Sequence, residues 1–233
     1  MTLSRATKVA KFGAAPSSIA ATATDIWSRA ATTQIWLAPT AARVHTIAST
    51  SASDDGAVIR CWGLPTWDNE ETYQDVTLPG GTTSGEIIIH RMKLLQTAAH
   101  PTLIGTVTAT AATNNTVTAE IPIGSEQTQM AIYGVPSTQV FQLKQWIFGI
   151  DKAIGTVATC NFEIRVNERP DLQTTGYIRK WNDSVQSTGT NSKSVEFAET
   201  IDFSGPCIIK IQAIASTASV DGHASFIGRL VDK

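Results

Sequence analysis

The sequence predicts an all-β protein built from antiparallel sheets. Short runs rich in Val, Ile, Thr and aromatic residues recur along the 233 residues, and clusters of Gly, Pro, Asn, Asp and Ser separate them. The most regular run is 161–167, where Phe162, Ile164 and Val166 fall on one face and charged residues on the other. This period of two is typical of an antiparallel strand with one face in water.

Composition narrows the classes of partner. Charged residues make up 16% of the chain, against about 25% in an average soluble protein, and Thr, Ala and Ser are abundant. This profile suits a protein with much of its surface against copies or neighbours. A net charge of -2 and scattered basic residues argue against nucleic acid as the primary partner.

Neither a membrane nor a disulfide framework is indicated. No apolar run is long enough to span a bilayer, and the start of the chain lacks the apolar segment of a secretory signal, which predicts synthesis in a cytoplasm. Three cysteines, Cys61, Cys160 and Cys207, each lie in an apolar run. Their odd number and wide spacing favour buried reduced thiols over a disulfide or a metal site.

Residues 1–33 are predicted to form an N-terminal arm. Residues 1–18 are expected to be extended, and ordered only against another subunit or a neighbouring protein. Residues 19–30 could form one short helix, with Ile26 and Trp27 as its apolar anchors. Trp27 is expected to pack against another chain, and Ile26 and Phe12 are further candidates for partner contact.

Residues 34–150 are predicted to form a first β-module. At its centre, residues 57–93 are predicted to fold as an antiparallel meander of three consecutive strands. The strands are Val58–Trp62, Thr72–Leu78 and Glu86–Met92.

Two hairpins are predicted in the same module. Val44–Ile47 is expected to pair with Val58–Trp62 across a loop that ends in Asp55-Gly56. Leu103–Thr110 is expected to pair with Thr116–Ile123, because the Asn114-Asn115 dipeptide between them tolerates left-handed backbone.

Residues 151–233 are predicted to form a second β-module, either separate or packed with the first as one domain. Its polar segment Asp171–Ser194 is expected to be a long surface excursion from which Trp181 could fold back. Two loops, Ile47–Ala57 and Ile214–Ala224, resemble each other. They indicate either two hairpins with similar loop chemistry or two related β-modules.

No catalytic or cofactor-binding pattern is present. The four histidines are too scattered for a metal cluster, and no serine lies in a nucleophile motif. Asp54, Asp55 and Asp221 could bind a hard cation, but Asp-Gly is first a turn dipeptide. The pair Glu70-Glu71 is more simply a solvated loop than an acid–base pair. The sequence therefore predicts no enzyme, no metal and no cofactor.

Several segments in order resemble a known family. They are Asp25–Ser28, the loop Ser49–Gly56, Arg60–Leu64, Trp67–Glu71 and Val76–Thr82. Their order is similar to that in a family of virion structural proteins of tailed bacteriophages, especially marine and cyanobacterial ones. The resemblance covers residues 1–150. Pro79-Gly80-Gly81-Thr82 replaces the Asn-Gly-Thr turn of the family.

The resemblance implies a β-sandwich or jelly-roll subunit on the capsid surface of a virion. The expected role is that of a non-enzymatic head decoration (cement) protein, a homotrimer or homodimer that binds across seams between major capsid proteins. The alternative is a fibre or knob adhesin of the head or tail that binds host-surface glycan. In that alternative Trp181 is the candidate binding residue.

Overall fold

The computed structural model describes residues 6–29, 35–96, 101–113, 115–151, 158–172, 176–187, 191–216 and 220–233. Within these ranges the regular structure consists of strands and of two short 3-10 segments, Ala52–Asp54 and Pro170–Leu172. All sheets in these ranges are antiparallel. The predicted all-β fold class is therefore confirmed. No helix in the described ranges is long and apolar enough to cross a membrane. The strands are β1 Thr7–Ile19, β2 Thr24–Asp25, β3 His45–Ser49, β4 Val58–Leu64, β5 Thr72–Thr77, β6 Gly81–Thr82, β7 Ile88–Gln96, β8 Val107–Ala111, β9 Thr116–Ile121, β10 Ile132–Val135, β11 Gln139–Ile150, β12 Thr159–Asn167, β13 Ile178–Gln186, β14 Ser192–Ser204, β15 Cys207–Ala215 and β16 Val220–Asp232.

The chain divides into two compact units. Unit 1 contains residues 1–35 and 131–233, and unit 2 contains residues 36–130. The sequence instead suggested divisions after residues 33 and 150. Residues 131–150 belong to unit 1 because β11 runs unbroken to Ile150 and pairs along its length with β14 and β16.

Unit 1 has the strand order of a jelly roll. One sheet has the order β1-β16-β11-β14, and the other has the order β10-β15-β12-β13 with β2 also paired to β15. The pairs β1–β16, β2/β10–β15, β11–β14 and β12–β13 are nested one inside the next along the chain. A long antiparallel ribbon rolled into two facing sheets produces this nesting.

The interior of the roll is filled by aromatic side chains. Trp146 and Phe148 come from β11, and their ring centroids lie 4.1 Å apart. Phe148 meets Phe162 of the opposite sheet at 5.1 Å, and Phe141 meets Phe226 at 5.8 Å. All five are at most 1% exposed. Side chains of both sheets therefore pack directly against each other inside the roll.

Unit 2 is inserted into one strand position of the roll. β2 pairs with Gln212 and Ala213 of β15, and β10 pairs with the preceding part of β15. Between them, the amide of Ala131 donates to the carbonyl of Ile26 at 2.9 Å. The chain thus leaves the roll and returns to it at neighbouring points.

Unit 2 is itself made of two antiparallel sheets, with orders β6-β3-β8-β9 and β5-β4-β7. Its strands alternate so that one face of each sheet is apolar, and fully buried side chains include Ile47, Ile59, Val107 and Ile121. The predicted β8–β9 hairpin is confirmed, with Asn115 at a φ of 53° in the turn.

Two pairings predicted in this unit are wrong. β4 lies between β5 and β7, so the three strands do not form a meander with β5 in the centre. β3 pairs with β6 and β8 and not with β4. The loop between β3 and β4 forms a 3-10 turn that carries the chain from one sheet to the other.

The predicted free arm and helix are also wrong. β1 pairs with β16 of its own chain from Thr7↔Leu230 to Ile19↔Val220. Residues 19–29 contain the short strand β2 and no helix. β1 pairs with a strand of equal length, and this pairing satisfies its backbone without a second subunit.

Residues 171–194 are not the predicted surface excursion. They contain β13 and the start of β14, and β13 forms an edge of the second sheet. The predicted face of Phe162, Ile164 and Val166 is buried as expected. The opposite face is less wet than predicted, since Glu163 is 5% exposed and its carboxylate contacts Arg165 and Arg179.

Candidate protein-binding surface

The outward face of the sheet β5-β4-β7 in unit 2 carries a cluster of aromatic and arginine side chains. The register sets Arg60 opposite Asp75 and Trp62 opposite Tyr73 on β5, and Trp62 opposite Arg91 on β7. Because side chains alternate along a strand, these five lie on one face. We call them the aromatic–arginine face.

Cation–π contacts link the members of this face. The Arg60 guanidinium lies 4.1 Å from the ring centroid of Tyr73 and 5.8 Å from that of Trp62. Arg91 lies 4.7 Å from the Trp62 ring and donates a hydrogen bond to Gln127 Oε1 at 3.2 Å. Each aromatic ring is therefore held against at least one cation.

Arg60 is also held by a bidentate ion pair with Asp75. Its Nε and NH2 groups donate to the two carboxylate oxygens at 2.7 and 2.8 Å. These hydrogen bonds lower the pKa of Asp75 and raise the pKa of Arg60. Both groups consequently stay charged near neutral pH, and the geometry of the pair is maintained.

The aromatic–arginine face is accessible. Tyr73 is 56% exposed, Arg91 is exposed, and Trp62 and Arg60 are half-buried. Trp, Tyr and Arg are the residue types most enriched where protein–protein interfaces concentrate their binding energy. Side chains already held in place lose less conformational entropy when a partner binds.

Sequence reasoning did not identify this face. The alternation of Arg60 and Trp62, and that of Tyr73 and Asp75, are visible as residues two apart in predicted strands. Only the register between β4, β5 and β7 brings them together, and the predicted meander gave a different strand order. The spacing of these residues within each strand was therefore visible in the sequence, but the strand order that brings Arg91 beside Trp62 was not.

The predicted partner-binding residues have different environments. Ile26 and Trp27 are both 0% exposed, so they offer no surface to a partner, and Ile26 belongs to the apolar core of unit 1. Phe12 is 44% exposed on β1, and Trp181 is 43% exposed on β13, where its ring lies edge-on to Phe197 at 5.3 Å. Phe12 and Trp181 stay candidates for contact.

All three cysteines are free and buried, which confirms the predicted reduced thiols. Burial is the main cause that raises the pKa of Cys61, Cys160 and Cys207 to about 12 in each case. These thiols are protonated near neutral pH and act as small apolar side chains.

Asp54 accepts hydrogen bonds from its own loop and from the segment before β8. Its carboxylate accepts hydrogen bonds from the amides of Ile104 and Gly105, both at 2.8 Å, and from the Ser49 hydroxyl at 2.6 Å. Asp54 is 4% exposed. It therefore ties the turn after β3 to the segment before β8, while Asp55 beside it is exposed.

The buried histidines make separate polar contacts. His45 Nδ1 donates to the carbonyl of Arg43 at 2.9 Å and lies 3.7 Å from Glu86. His90 Nε2 lies 2.6 Å from Glu71, one of the two acids predicted to be a solvated loop. Across the described ranges, His, Cys, Asp and Glu form no group of three that could hold a metal ion.

Comparison with known proteins gives no family. No family model and no curated protein matches the chain, so the resemblance to tailed-bacteriophage proteins stays a prediction. Among solved structures, the chain is similar to a structure of infectious bursal disease virus, Gx strain. The two are 8% identical in sequence, the match covers 99% of this chain and 72% of that chain, and the TM-score is 0.24. The chain is also similar to a VP2 subviral particle of the same virus. The sequence identity is 9%, the match covers 99% of this chain and 77% of that chain, and the TM-score is 0.21. TM-scores of this size do not establish a shared fold.

Proposed function

We propose that this protein is a non-enzymatic structural subunit of a virus particle. The observation that carries the proposal is the jelly roll of unit 1 with a second β-unit inserted at β2 and β10. Jelly rolls serve mainly as viral capsid domains, lectins and cupins. The apolar aromatic interior of this roll favours a structural role over an enzyme of the cupin type, which needs a site inside the roll.

More specifically, we propose a head decoration (cement) protein on the capsid surface. It would bind across seams between major capsid proteins and oppose the outward pressure of the packaged genome through contact area alone. Its low content of charged residues, 16%, fits a surface largely covered by neighbours. A homotrimer or homodimer is the proposed state, with no nucleic-acid or membrane partner.

The aromatic–arginine face is the proposed contact surface for the capsid. Trp62 and Tyr73 supply apolar area, and Arg60 and Arg91 supply oriented donors on the same face. An interface centre of this composition combines burial with charge-assisted hydrogen bonds.

The test is reconstitution on capsids that lack the protein. Purified protein should add in a fixed ratio and raise the temperature at which the capsids open. Trp62→Ala with Tyr73→Ala should weaken binding at least about 30-fold, since the loss of even one central aromatic residue costs about 2 kcal/mol or more. Ile123→Ala truncates an apolar side chain of unit 2 that is 66% exposed elsewhere; it is the control and should bind as the wild type does. Wild-type protein that does not bind such capsids would exclude the cement role.

A second candidate is an adhesin that binds host-surface glycan. The observation in its favour is Trp181, whose ring is 43% exposed and supported edge-on by Phe197. Sugar rings pack well against an exposed, immobilised aromatic ring. Glycan-array binding that is lost in Trp181→Ala and kept in the Trp62→Ala, Tyr73→Ala variant would favour this role over the cement role.

A further inference from the structure

A groove of about 600 Å³ lies on the outward side of the first sheet of unit 1. Its lining is mostly apolar in area and contains Ala6, Ile227 and Gly228, together with Lys8 of β1, Arg229 of β16, Gln142 and Lys144 of β11, and Thr200 of β14. The register places Lys8 opposite Arg229, Arg229 opposite Gln142, and Gln142 opposite Asp202. The groove therefore crosses all four strands of the sheet.

Irregular pairing builds the groove. Leu143 and Gln145 are both paired with β16, and Lys144 between them is the extra residue of a bulge. Opposite Lys144, the pairing of β14 with β11 is interrupted. Glu196 pairs with Gln145 and Ile201 pairs with Leu143, so residues 197–200 of β14 form a bulge between these two pairs. Bulges of this kind redirect a side chain, and Lys144 Nζ donates to the carbonyl of Phe197 at 2.9 Å.

The charge of the groove is positive and only partly compensated. The Lys8 side chain makes no hydrogen bond or ion pair with any other residue in the described ranges, while its backbone pairs with Arg229. Arg229 donates through Nε to Gln142 at 2.7 Å, which leaves the end of its guanidinium group available. Asp202 is the acid at the far end, and its oxygens accept from Gln142 and Thr200. The cationic side chains Lys8, Lys144 and Arg229 thus outnumber the one carboxylate, Asp202, which accepts a hydrogen bond on each of its oxygens.

The chain carries a matching acidic segment. Three of the four residues 68–71 are acids, Asp68, Glu70 and Glu71, and all four are exposed. They follow a turn in which the Asp68 amide donates to the Thr66 hydroxyl at 3.2 Å. We call residues 68–71 the acidic loop.

We propose that the basic groove of one copy binds the acidic loop of a second copy. Glu71 already contacts His90, so Asp68 and Glu70 are the acids proposed to meet the groove in up to two charge-assisted contacts, and Arg229 can take a carboxylate through both terminal nitrogens. The two surfaces are different, so the contact is heterologous and generates a ring or an open filament. A phosphate backbone fits less well, because the basic residues end at Asp202 and the whole chain is acidic. The proposal does not depend on a role in virions.

The test is a charge swap in the full-length protein. The groove variant is Lys8→Glu with Arg229→Glu, and the loop variant is Asp68→Lys with Glu70→Lys. Wild-type protein should associate in sedimentation velocity at low salt, and high salt should weaken the association. Each variant alone should associate on the order of a hundredfold more weakly, because like charges then face each other.

Mixing the two variants in equal amounts should restore association, since each groove then meets a loop of opposite charge. Asp55→Lys with Glu126→Lys has the same change in charge as the loop variant at other exposed acids, and should associate as the wild type does. Circular dichroism melting of every variant checks the fold. A wild-type monomer at all concentrations, unchanged association of both variants, or a mixture that stays monomeric would each overturn the proposal. Capsid binding is measured separately, so failure there leaves this result intact.

Discussion

Asp25 and Lys210 are 185 residues apart in the sequence, and Lys210 Nζ lies 2.7 Å from Asp25 Oδ2. Their side chains are 0% and 4% exposed. Gln212 Nε2 donates to the other carboxylate oxygen at 2.9 Å, and Lys210 Nζ lies 4.1 Å from the centre of the Tyr177 ring. This buried pair ties β2 to β15 beside the point where unit 2 is inserted.

Lys210→Met should destabilise unit 1 strongly. Loss of one partner leaves a buried charge without compensation, which costs about 3–5 kcal/mol. Urea unfolding measures the change. The double variant Asp25→Leu, Lys210→Met should recover part of the loss, because no isolated charge remains.

The control is an exposed ion pair. Asp171→Asn breaks the pair with Arg169 and should cost at most about 1 kcal/mol. Equal effects of Lys210→Met and Asp171→Asn would contradict the assignment.

Alkaline pH should destabilise the protein through its cysteines. Burial raises each thiol pKa from 9.0 to about 12, so between these values the unfolded chain releases protons that the folded chain keeps. Stability is therefore unaffected by the thiols below pH 9 and falls above it, by up to about 1.4 kcal/mol per pH unit for each thiol.

The measurement is urea unfolding at several pH values from about 8 to about 10.5. The triple Cys→Ala variant should be less stable throughout, because it leaves cavities, but its stability should fall less steeply with pH. Parallel pH profiles for the two proteins would show that the thiols are not the cause.

Asp54→Ala should loosen unit 2. The substitution leaves the amides of Ile104 and Gly105 without their acceptor, at a cost of about 1–3 kcal/mol for such buried donors. Hydrogen exchange at these two amides should accelerate more than exchange in β12. Asp55→Ala alters the neighbouring exposed acid and should leave both rates unchanged. Unaltered exchange in Asp54→Ala would remove the carboxylate from this role.

Gly13→Ala should show that β1 belongs to the fold. A Cβ atom at Gly13 would collide with the carbonyl oxygen of Ile26 and the amide nitrogen of Ala131, which are hydrogen-bonded to each other. Overpacking of this kind costs about 1–3 kcal/mol. Ala10→Val lies on the exposed side of the same strand and should change stability by less than about 0.5 kcal/mol. A neutral Gly13→Ala variant would favour the free arm that the sequence suggested.

Local patterns predicted the strands better than their partners. The β8–β9 hairpin could be predicted because a short turn with left-handed Asn115 forces neighbouring strands to pair. β4 and β7 are separated by β5 and β6, and nothing local shows that they pair. The long-range pair β1–β16 spans nearly the whole chain, so the N-terminal segment looked partnerless in the sequence.

The candidate surface was missed for the same reason. Trp27 was expected to meet a partner because it lies in a low-charge segment, yet its side chain is 0% exposed within its own chain. The sequence alone does not place Trp62 on an exposed face, because its neighbours come from β5 and β7. Exposure of an aromatic residue follows from strand order, which single-strand periodicity does not contain.

The hydrogen bond between Ala131 and Ile26 has an evolutionary implication. This hydrogen bond joins the two ends of the inserted segment within the roll. The roll therefore needs no particular length or sequence between them. Loop-closure entropy rises only slowly with length. Lineages could exchange this cassette while keeping the scaffold, and an engineer could graft a foreign domain there for display.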